Sequence, residues 1–371
     1  MLVVHIIIGL NVGGAELMLK RLIEGQGQGV NTNHCVISLT DIGIIGHQLQ
    51  QSGIRVIPLG MRNSLFSVIT FFKLREELKR LKPDIVQTWM YHSDFIGGLA
   101  ARTIGIKSVI WNVRNTNIRT GSLGKYCFRR LCGLVSHIIP HHIIYVSHSA
   151  KTEHVKFGFM KSRTSVIGNG FDINKFNYLE EHRINHRHSM NLNRDDVAVF
   201  SVGRYDPAKD HRTFIEAICN ARKINSKIKG VLIGREIPLS EFGLSKDDIE
   251  GFINLGEVNN LHELLSAADI FCLHSITEGF PNVLGEAMSV GLTCITTKAG
   301  DAELILSNKK YAVDIRDNYS LSKLMIDLSY SKGRKSLGLN NRMRIIDNYS
   351  LDKILNIYQN LYSKVYDETL S

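Results

Sequence analysis

At 371 residues the chain is too long for one ordinary core and fits two domains of roughly 150 to 190 residues. Its 44% hydrophobic and 22% charged residues exclude a disordered chain, and no run reaches the ~18 apolar residues of a membrane-spanning helix. The net charge of +10 is lopsided, because residues 1–173 hold 20 Lys and Arg against 9 Asp and Glu while the remainder is nearly neutral. The N-terminus MLVVHIIIGLNVGG lacks a basic region and a cleavage site, so it reads as a buried strand and not a signal peptide. Alternation follows. LVVHIII is a strand, AELMLKRLIEGQ a helix, HCVISLT a strand and GHQLQQSG a short helix. RVIPLG, helix 66–81, DIVQTW, helix 93–103 and SVIWNV come next, then a helix near 122–136 and HIIYVS. The strands are near-continuous apolar runs, which predicts a parallel sheet buried on both faces under helices.

Residues 177–196, NYLEEHRINHRHSMNLNRDD, show no apolar period and read as linker. Their clustered His residues have no carboxylate or Cys cluster beside them, so a solvated linker is expected over a metal site. VAVFSVG then restarts the alternation: helix 211–223, GVLIG, helix 246–250, FINLG, helix 260–267, IFCLHS, helix 282–289 and TCITT. DKILNIYQNLYSKVYDE is an amphipathic helix. The expected fold class is α/β, with two doubly wound, Rossmann-like domains whose strand ends face a ligand between them. The boundaries read as 1–173, a linker over 174–196, 197–350, and a terminal helix over 351–371 packing back on the first domain. Six scattered cysteines match no zinc spacing and read as reduced thiols in a cytosolic protein.

Three stretches can carry chemistry. In GLNVGGAEL, Gly13 and Gly14 let backbone approach a ligand at a helix entry, or simply make a tight turn; the pattern is not G-x-G-x-x-G. In VGRYDPAKDH, Arg204 and Lys209 lie at a strand's carboxyl end, where two cations can neutralise a diphosphate or remain ordinary solvated charges. In SITEGFPNVLGEAMSVGL, Pro281 suits the first helical position and Gly291 the C-cap, so a helix is expected over 281–290. Its free amides favour an anion, with Glu278 in the loop before it and Glu286 inside it, able to grip a diol. Two surface carboxylates would explain either Glu singly, but not the Gly-Phe-Pro-Asn between them.

That last stretch resembles the E-x7-E motif of the retaining glycosyltransferases of family 4, which have the GT-B fold. Gly203-Arg204 with Lys209-Asp210 is similar to the family's G-R-x-x-x-x-K-[GDN] element, and Gly13-Gly14-Ala15-Glu16 to its G-G-A-E loop. TWMYHSD places His92 at the end of the fourth strand, where the family has a His near the donor sugar. VIGNGFD has Gly168 where Pro is common, and AGDAELI has Asp301 where Gly is frequent. The resemblance implies that Glu286 binds a ribose, Glu278 the transferred sugar, and Arg204 and Lys209 the pyrophosphate. Gly279, Phe280, Asn282 and Val283 would complete that nucleotide-sugar site with Gly13 and Gly14. Glu257 and Val258 of LGEV would present backbone to the base, expected to be uracil. His92, Glu278, Arg204 and Lys209 would act in catalysis.

No Asp-x-Asp occurs, so no metal or other cofactor is expected, and the leaving charge would be met by Arg204, Lys209 and the helix start. The resemblance implies front-face transfer of a hexose or N-acetylhexosamine from a UDP-sugar, with retention. Residues 95–152 contain eight Lys and Arg and no acid, which points to a polyanion, an anionic membrane or a phosphorylated substrate. Arg114, Lys125, Arg129 and Arg130 are the candidate contacts. The segment GSLGKYCFRRLCGLVSHII fits an interfacial helix, or one packed into the first domain with solvated cations. The expected acceptor is linked to undecaprenyl diphosphate or another lipid, in O-antigen, capsule or lipopolysaccharide assembly on the cytosolic face of the inner membrane. A nucleotide-sugar epimerase or phosphorylase on the same frame remains open, although no pyridoxal-phosphate lysine is evident. A nucleic-acid-binding protein also fits the charge, but no such module is recognisable and no nucleic acid is expected as partner.

Overall fold

The computed structural model describes residues 1–26, 32–61, 68–118, 121–235 and 237–370. The chain forms two compact units: Met1–Gly170 with Leu351–Ser371, and Phe171–Ser350.

The first unit is built on a seven-stranded parallel sheet. Its strands are β1 (Leu2–Ile7), β2 (Asn33–Ser38), β3 (Arg55–Pro58), β4 (Ile85–Trp89), β5 (Val109–Val113), β6 (His142–Tyr145) and β7 (Thr164–Val166), in the order β3-β2-β1-β4-β5-β6-β7. Every residue of β4 and β5 is buried, as helices on both faces require. The order reverses between β1 and β4, the place where an open sheet leaves a crevice outside its carboxyl ends. The helix Leu351–Leu370 completes this core. Ile354, Leu355, Tyr358, Leu361, Tyr362 and Val365 recur at helical spacing and are all buried. Tyr358 accepts from Asn112 Nδ2 at 3.2 Å, and Tyr362 donates to Gln87, so the helix is pinned to β5 and β4 by polar bonds as well as packing.

The second unit carries a six-stranded parallel sheet of β8 (Val197–Val202), β9 (Ile228–Ile233), β10 (Phe252–Gly256), β11 (Ile270–Leu273), β12 (Thr293–Thr297) and β13 (Ala312–Val313). Its order is β10-β9-β8-β11-β12-β13, with the reversal between β8 and β11.

The structure departs from the sequence expectation at three places, and at a fourth the expected start is not among the described residues. The expected linker 174–196 contains a helix, Glu180–Ser189, anchored by arginine instead of an apolar stripe. Helix 66–81 is seen as Val68–Leu81, its expected start lying outside the described residues. Helix 93–103 begins earlier, at Tyr91, so His92 lies in a helix's first turn and not at a strand end. Pro281 precedes the helix Asn282–Val290 in extended conformation. Among the described residues no group of three or more His, Cys, Asp or Glu could hold a metal ion, and no helix is long and apolar enough to cross a membrane.

Candidate active site

Two loops meet where the second sheet reverses. One leaves β8 through Gly203 and Arg204 and ends at Lys209; the other leaves β11 through His274 and Ser275 and ends at Glu278. Lys209 Nζ donates to Glu278 Oε1 at 2.6 Å, and Ser275 Oγ donates to the same oxygen at 2.7 Å. The backbones are joined as well, with Ile276 N donating to Ala208 O at 2.8 Å. Lys209 keeps 27% of its side chain exposed and Glu278 12%, so the pair is sheltered yet reachable. Arg204 is the most open member, 69% exposed and paired with Asp206 at 3.0 Å. The Asp206 carboxyl is held below its usual range, first by the Ala208 amide and then by Arg204. The backbone therefore presents two cations, Arg204 and Lys209, on one short loop.

The helix Asn282–Val290 follows directly. Its first amides have no acceptor within the helix and carry partial positive charge. Glu286 lies one turn in, 9% exposed. Two glycines fix the geometry around it. A Cβ on Gly285 would lie 2.0 Å from the Phe171 ring, so the helix packs there only as glycine. Gly300 has φ +57°, and a Cβ on it would lie 2.2 Å from the Glu278 carbonyl oxygen; its loop backs the Glu278 loop. Phe280 stacks on Phe171 at 6.0 Å and meets Tyr349 at 5.7 Å. Its ring is thus spent on packing, and Val283 also packs on the core. Of the expected ligand contacts in this stretch, Gly279 and Asn282 remain partly exposed, whereas Phe280 and Val283 hold the loop.

A cavity of about 740 Å³ opens beyond β9 and β10, lined by Tyr205, Gly234, Ile237, Pro238, Leu255 and Gly256 among others. Glu257, exposed, and Val258, packed on the core, are the next residues of the chain. The LGEV motif thus marks the region by its first two residues, and the sequence reading missed Tyr205 and Pro238. Tyr205 lies inside VGRYDPAKDH at a position given no role, and Pro238 in the loop after β9, and only the fold brings them together.

In the first unit a cavity of about 510 Å³ sits at the reversal between β1 and β4. Met90, His92, Glu16, Lys125, Phe128 and Arg129 are in its wall. Met90 has φ +69°, costly for a residue with a side chain and therefore held by its surroundings. His92 stacks on Phe128 at 4.6 Å, and its pKa is lowered by burial, then by Arg129 and Lys125. Burial raises the Glu16 carboxyl. Gly14 opens the helix Gly14–Gln26 with nothing within 4 Å of an added Cβ, whereas a Cβ on Gly13 would meet the Glu16 carboxylate at 2.3 Å.

The four basic candidates part company. Arg129 donates to Ile118 O at 2.7 Å and lies 5.6 Å over the Tyr91 ring, on the cavity side. Lys125 reaches the same wall. Arg130 donates to Phe157 O at 2.5 Å and covers that ring from outside. Arg114 is half-buried and turned inward: it bonds Asn112, Tyr358 and Asn169 and lies 5.6 Å over the buried Trp89. It ties β5 to the terminal helix.

The chain is similar to known proteins throughout. Residues 12–175 match Glycosyltransferase Family 4 and residues 196–329 match Glycosyl transferases group 1. A putative glycosyltransferase of Bacillus subtilis, EpsF, is 25% identical over 79% of this chain and 78% of its own length. The Escherichia coli UDP-Gal:alpha-D-GlcNAc-diphosphoundecaprenol alpha-1,3-galactosyltransferase is 24% identical, covering 80% of this chain and 78% of that one. Anabaena Alr3699/HepE, solved in complex with UDP, superposes with a TM-score of 0.85 at 18% identity, over 98% of this chain and 100% of that chain.

Proposed function

The chain belongs to the family 4, group 1 glycosyltransferases of GT-B fold, and on that premise we propose a retaining transferase that uses a UDP-sugar. It moves a hexose or N-acetylhexosamine to a lipid-linked or growing glycan in bacterial surface polysaccharide assembly. The observation that carries the reading is the meeting of Lys209 and Glu278 at the reversal of the second sheet, beside the start of the helix that holds Glu286. The cation and the carboxylate are within reach of one another and of a common ligand. In the donor complex Lys209 turns to the diphosphate and Glu278 to the sugar hydroxyls, while Glu286 accepts from the ribose diol. The new bond joins the acceptor oxygen to the anomeric carbon on the face from which UDP departs. The departing phosphate oxygen takes the acceptor proton, and Arg204, Lys209 and the helix amides meet its charge without a metal.

The UDP complex of Alr3699/HepE supports a uridine nucleotide, and the diphosphoundecaprenol acceptor of the Escherichia coli relative supports a lipid-linked one. The first unit's cavity, with His92, Lys125 and Arg129, is the proposed acceptor side, and the protein works peripherally at an anionic membrane surface.

Calorimetry with UDP tests the assignment. Glu286→Ala is expected to cost roughly 1.5–3 kcal/mol of UDP affinity, the value of a hydrogen bond to a charged group. Glu278→Ala is expected to leave UDP affinity nearly intact and to cut turnover. Equal loss of UDP affinity in both variants would refute the roles given to the two carboxylates.

A further inference from the structure

His274 stands one residue beyond β11, 4% exposed, with its ring 5.0 Å from Phe214 and 5.2 Å from His211. Its Nδ1 lies 2.5 Å from the carbonyl oxygen of Lys209, and its Nε2 2.5 Å from Ser201 Oγ. A carbonyl oxygen only accepts, so Nδ1 carries the hydrogen. Burial, followed by the neighbouring His211, lowers the pKa to about 3, so the ring is neutral and Nε2 accepts from the Ser201 hydroxyl. A directed chain therefore runs from Ser201 in β8, through His274, to the backbone of Lys209.

That backbone needs holding. Asp210, the next residue, sits in the left-handed region at φ +52°, ψ +52°, just before the helix His211–Arg222. The turn aims the Lys209 carbonyl inward at the His274 ring, while the Lys209 side chain meets Glu278. We propose that His274 is a positioning residue for the donor diphosphate. Its Nδ1–H fixes the Lys209 backbone so that Nζ points at the phosphate position beside Glu278. The inference rests on the reading of Lys209 as the diphosphate contact.

The test compares UDP with uridine, which lacks the diphosphate, by calorimetry on the full chain. His274→Gln keeps an amide near the Nε2 position but offers nothing at Nδ1. It is expected to weaken UDP roughly tenfold while leaving uridine unchanged, the loss of one hydrogen bond's worth of ordering. His274→Asn places an amide N–H where Nδ1–H stands and is expected to restore UDP affinity to within about threefold of wild type. A merely structural histidine would give no such ordering, since both amides lose the ring's packing on Phe214. UDP and uridine weakened alike in both variants, or UDP unaffected in His274→Gln, overturns the proposal. Lys209→Ala is measured beside them. Unchanged UDP affinity there overturns the diphosphate reading itself, whereas weakened binding there with wild-type binding in His274→Gln overturns only the role of His274. Should His274→Gln not fold, Ser201→Ala removes the donor that orients the ring. It is expected to weaken UDP a few-fold and uridine not at all, and unchanged UDP affinity would again overturn the proposal.

Discussion

Trp89 fixes the state of a second buried imidazole. Its indole N–H can only donate, and it lies 3.3 Å from His5 Nδ1. Neutral His5 must then donate from Nε2 to His34 Nδ1 at 3.0 Å, and His34 from Nε2 to Gln26 Oε1 at 2.7 Å. Burial is the main cause that drives the pKa of His5 well below its ordinary value and that of His34 to about 4; His34 lowers His5 further. A depressed histidine contributes nothing to the pH dependence above its unfolded pKa near 6.5. Below that, the unfolded chain binds protons that the folded one refuses, so stability falls as pH drops from about 6.5 towards about 4. Each such histidine costs up to about 1.4 kcal/mol per pH unit in that window. Urea midpoints measured at pH 7 and pH 5 are expected to drop at the lower pH, and His34→Gln should lessen the drop by one histidine's share. An unchanged pH slope in that variant would count against a neutral His34. Hydropathy patterns mark His5 only as a polar residue inside an apolar strand. The relay depends on which strands lie side by side, so it was not legible beforehand.

The helix Glu180–Ser189 has no apolar stripe to mark it in the sequence. Its buried face is held by Arg183 and Arg187, four residues apart, which converge on Asp269 at 2.8 and 3.0 Å. The same guanidiniums collect the carbonyls of Ser266, Ala267 and Ala268, and Arg187 also reaches those of Asn193 and Asp196. Arginines at i and i+4 carry no hydrophobic period, so the segment read as linker. Asp269 also accepts from Ala198 N at 2.9 Å, joining the helix to β8. Asp269→Ala leaves two guanidiniums without their carboxylate, in a sheltered place. It is expected to destabilise the second unit by roughly 3 kcal/mol, read as a lower thermal or urea midpoint. A variant as stable as the parent would mean the carbonyls alone hold the helix.

At the scale of the whole molecule, the surplus charge of the first half meets an uncovered apolar stripe. The helix Leu123–Val135 buries only Cys132 and Gly133, while Leu123 is 77%, Leu131 41%, Leu134 68% and nearby Ile138 71% exposed. Lys125, Phe128 and Arg129 occupy the opposite, cavity-facing side. Arg119 of the basic block lies outside the described residues. The outer stripe, with Arg130 beside it, fits an anionic lipid surface, where each basic residue contributes about 1 kcal/mol and the leucines add apolar burial. Changing Leu123, Leu131 and Leu134 together to Ser is expected to release the protein from anionic vesicles by at least about tenfold, with transfer to a soluble acceptor retained. Equal sedimentation of parent and variant at low salt would refute this stripe as a membrane contact.

By itself the sequence determined the two parallel sheets, because fully buried strands must be written as unbroken apolar runs, and it determined the glycosyltransferase motifs, because glycine, proline and paired carboxylates at fixed spacing survive as local text. It also marked the terminal helix through the period of Ile354, Tyr358 and Tyr362. Tertiary structure decided what each motif residue touches. Phe280 became packing because Phe171 and Tyr349 arrive beside it, and Arg114 became a tie because Tyr358 and Asn169 reach it from distant parts of the chain. His274 acquired a directed pair of hydrogen bonds because strands β8 and β11, some seventy residues apart in the chain, are neighbours in the sheet. Periodicity reports which face of an element is buried; it carries no information about which side chains from elsewhere will line that face, and hydrogen bonds are made only once those partners are fixed in place.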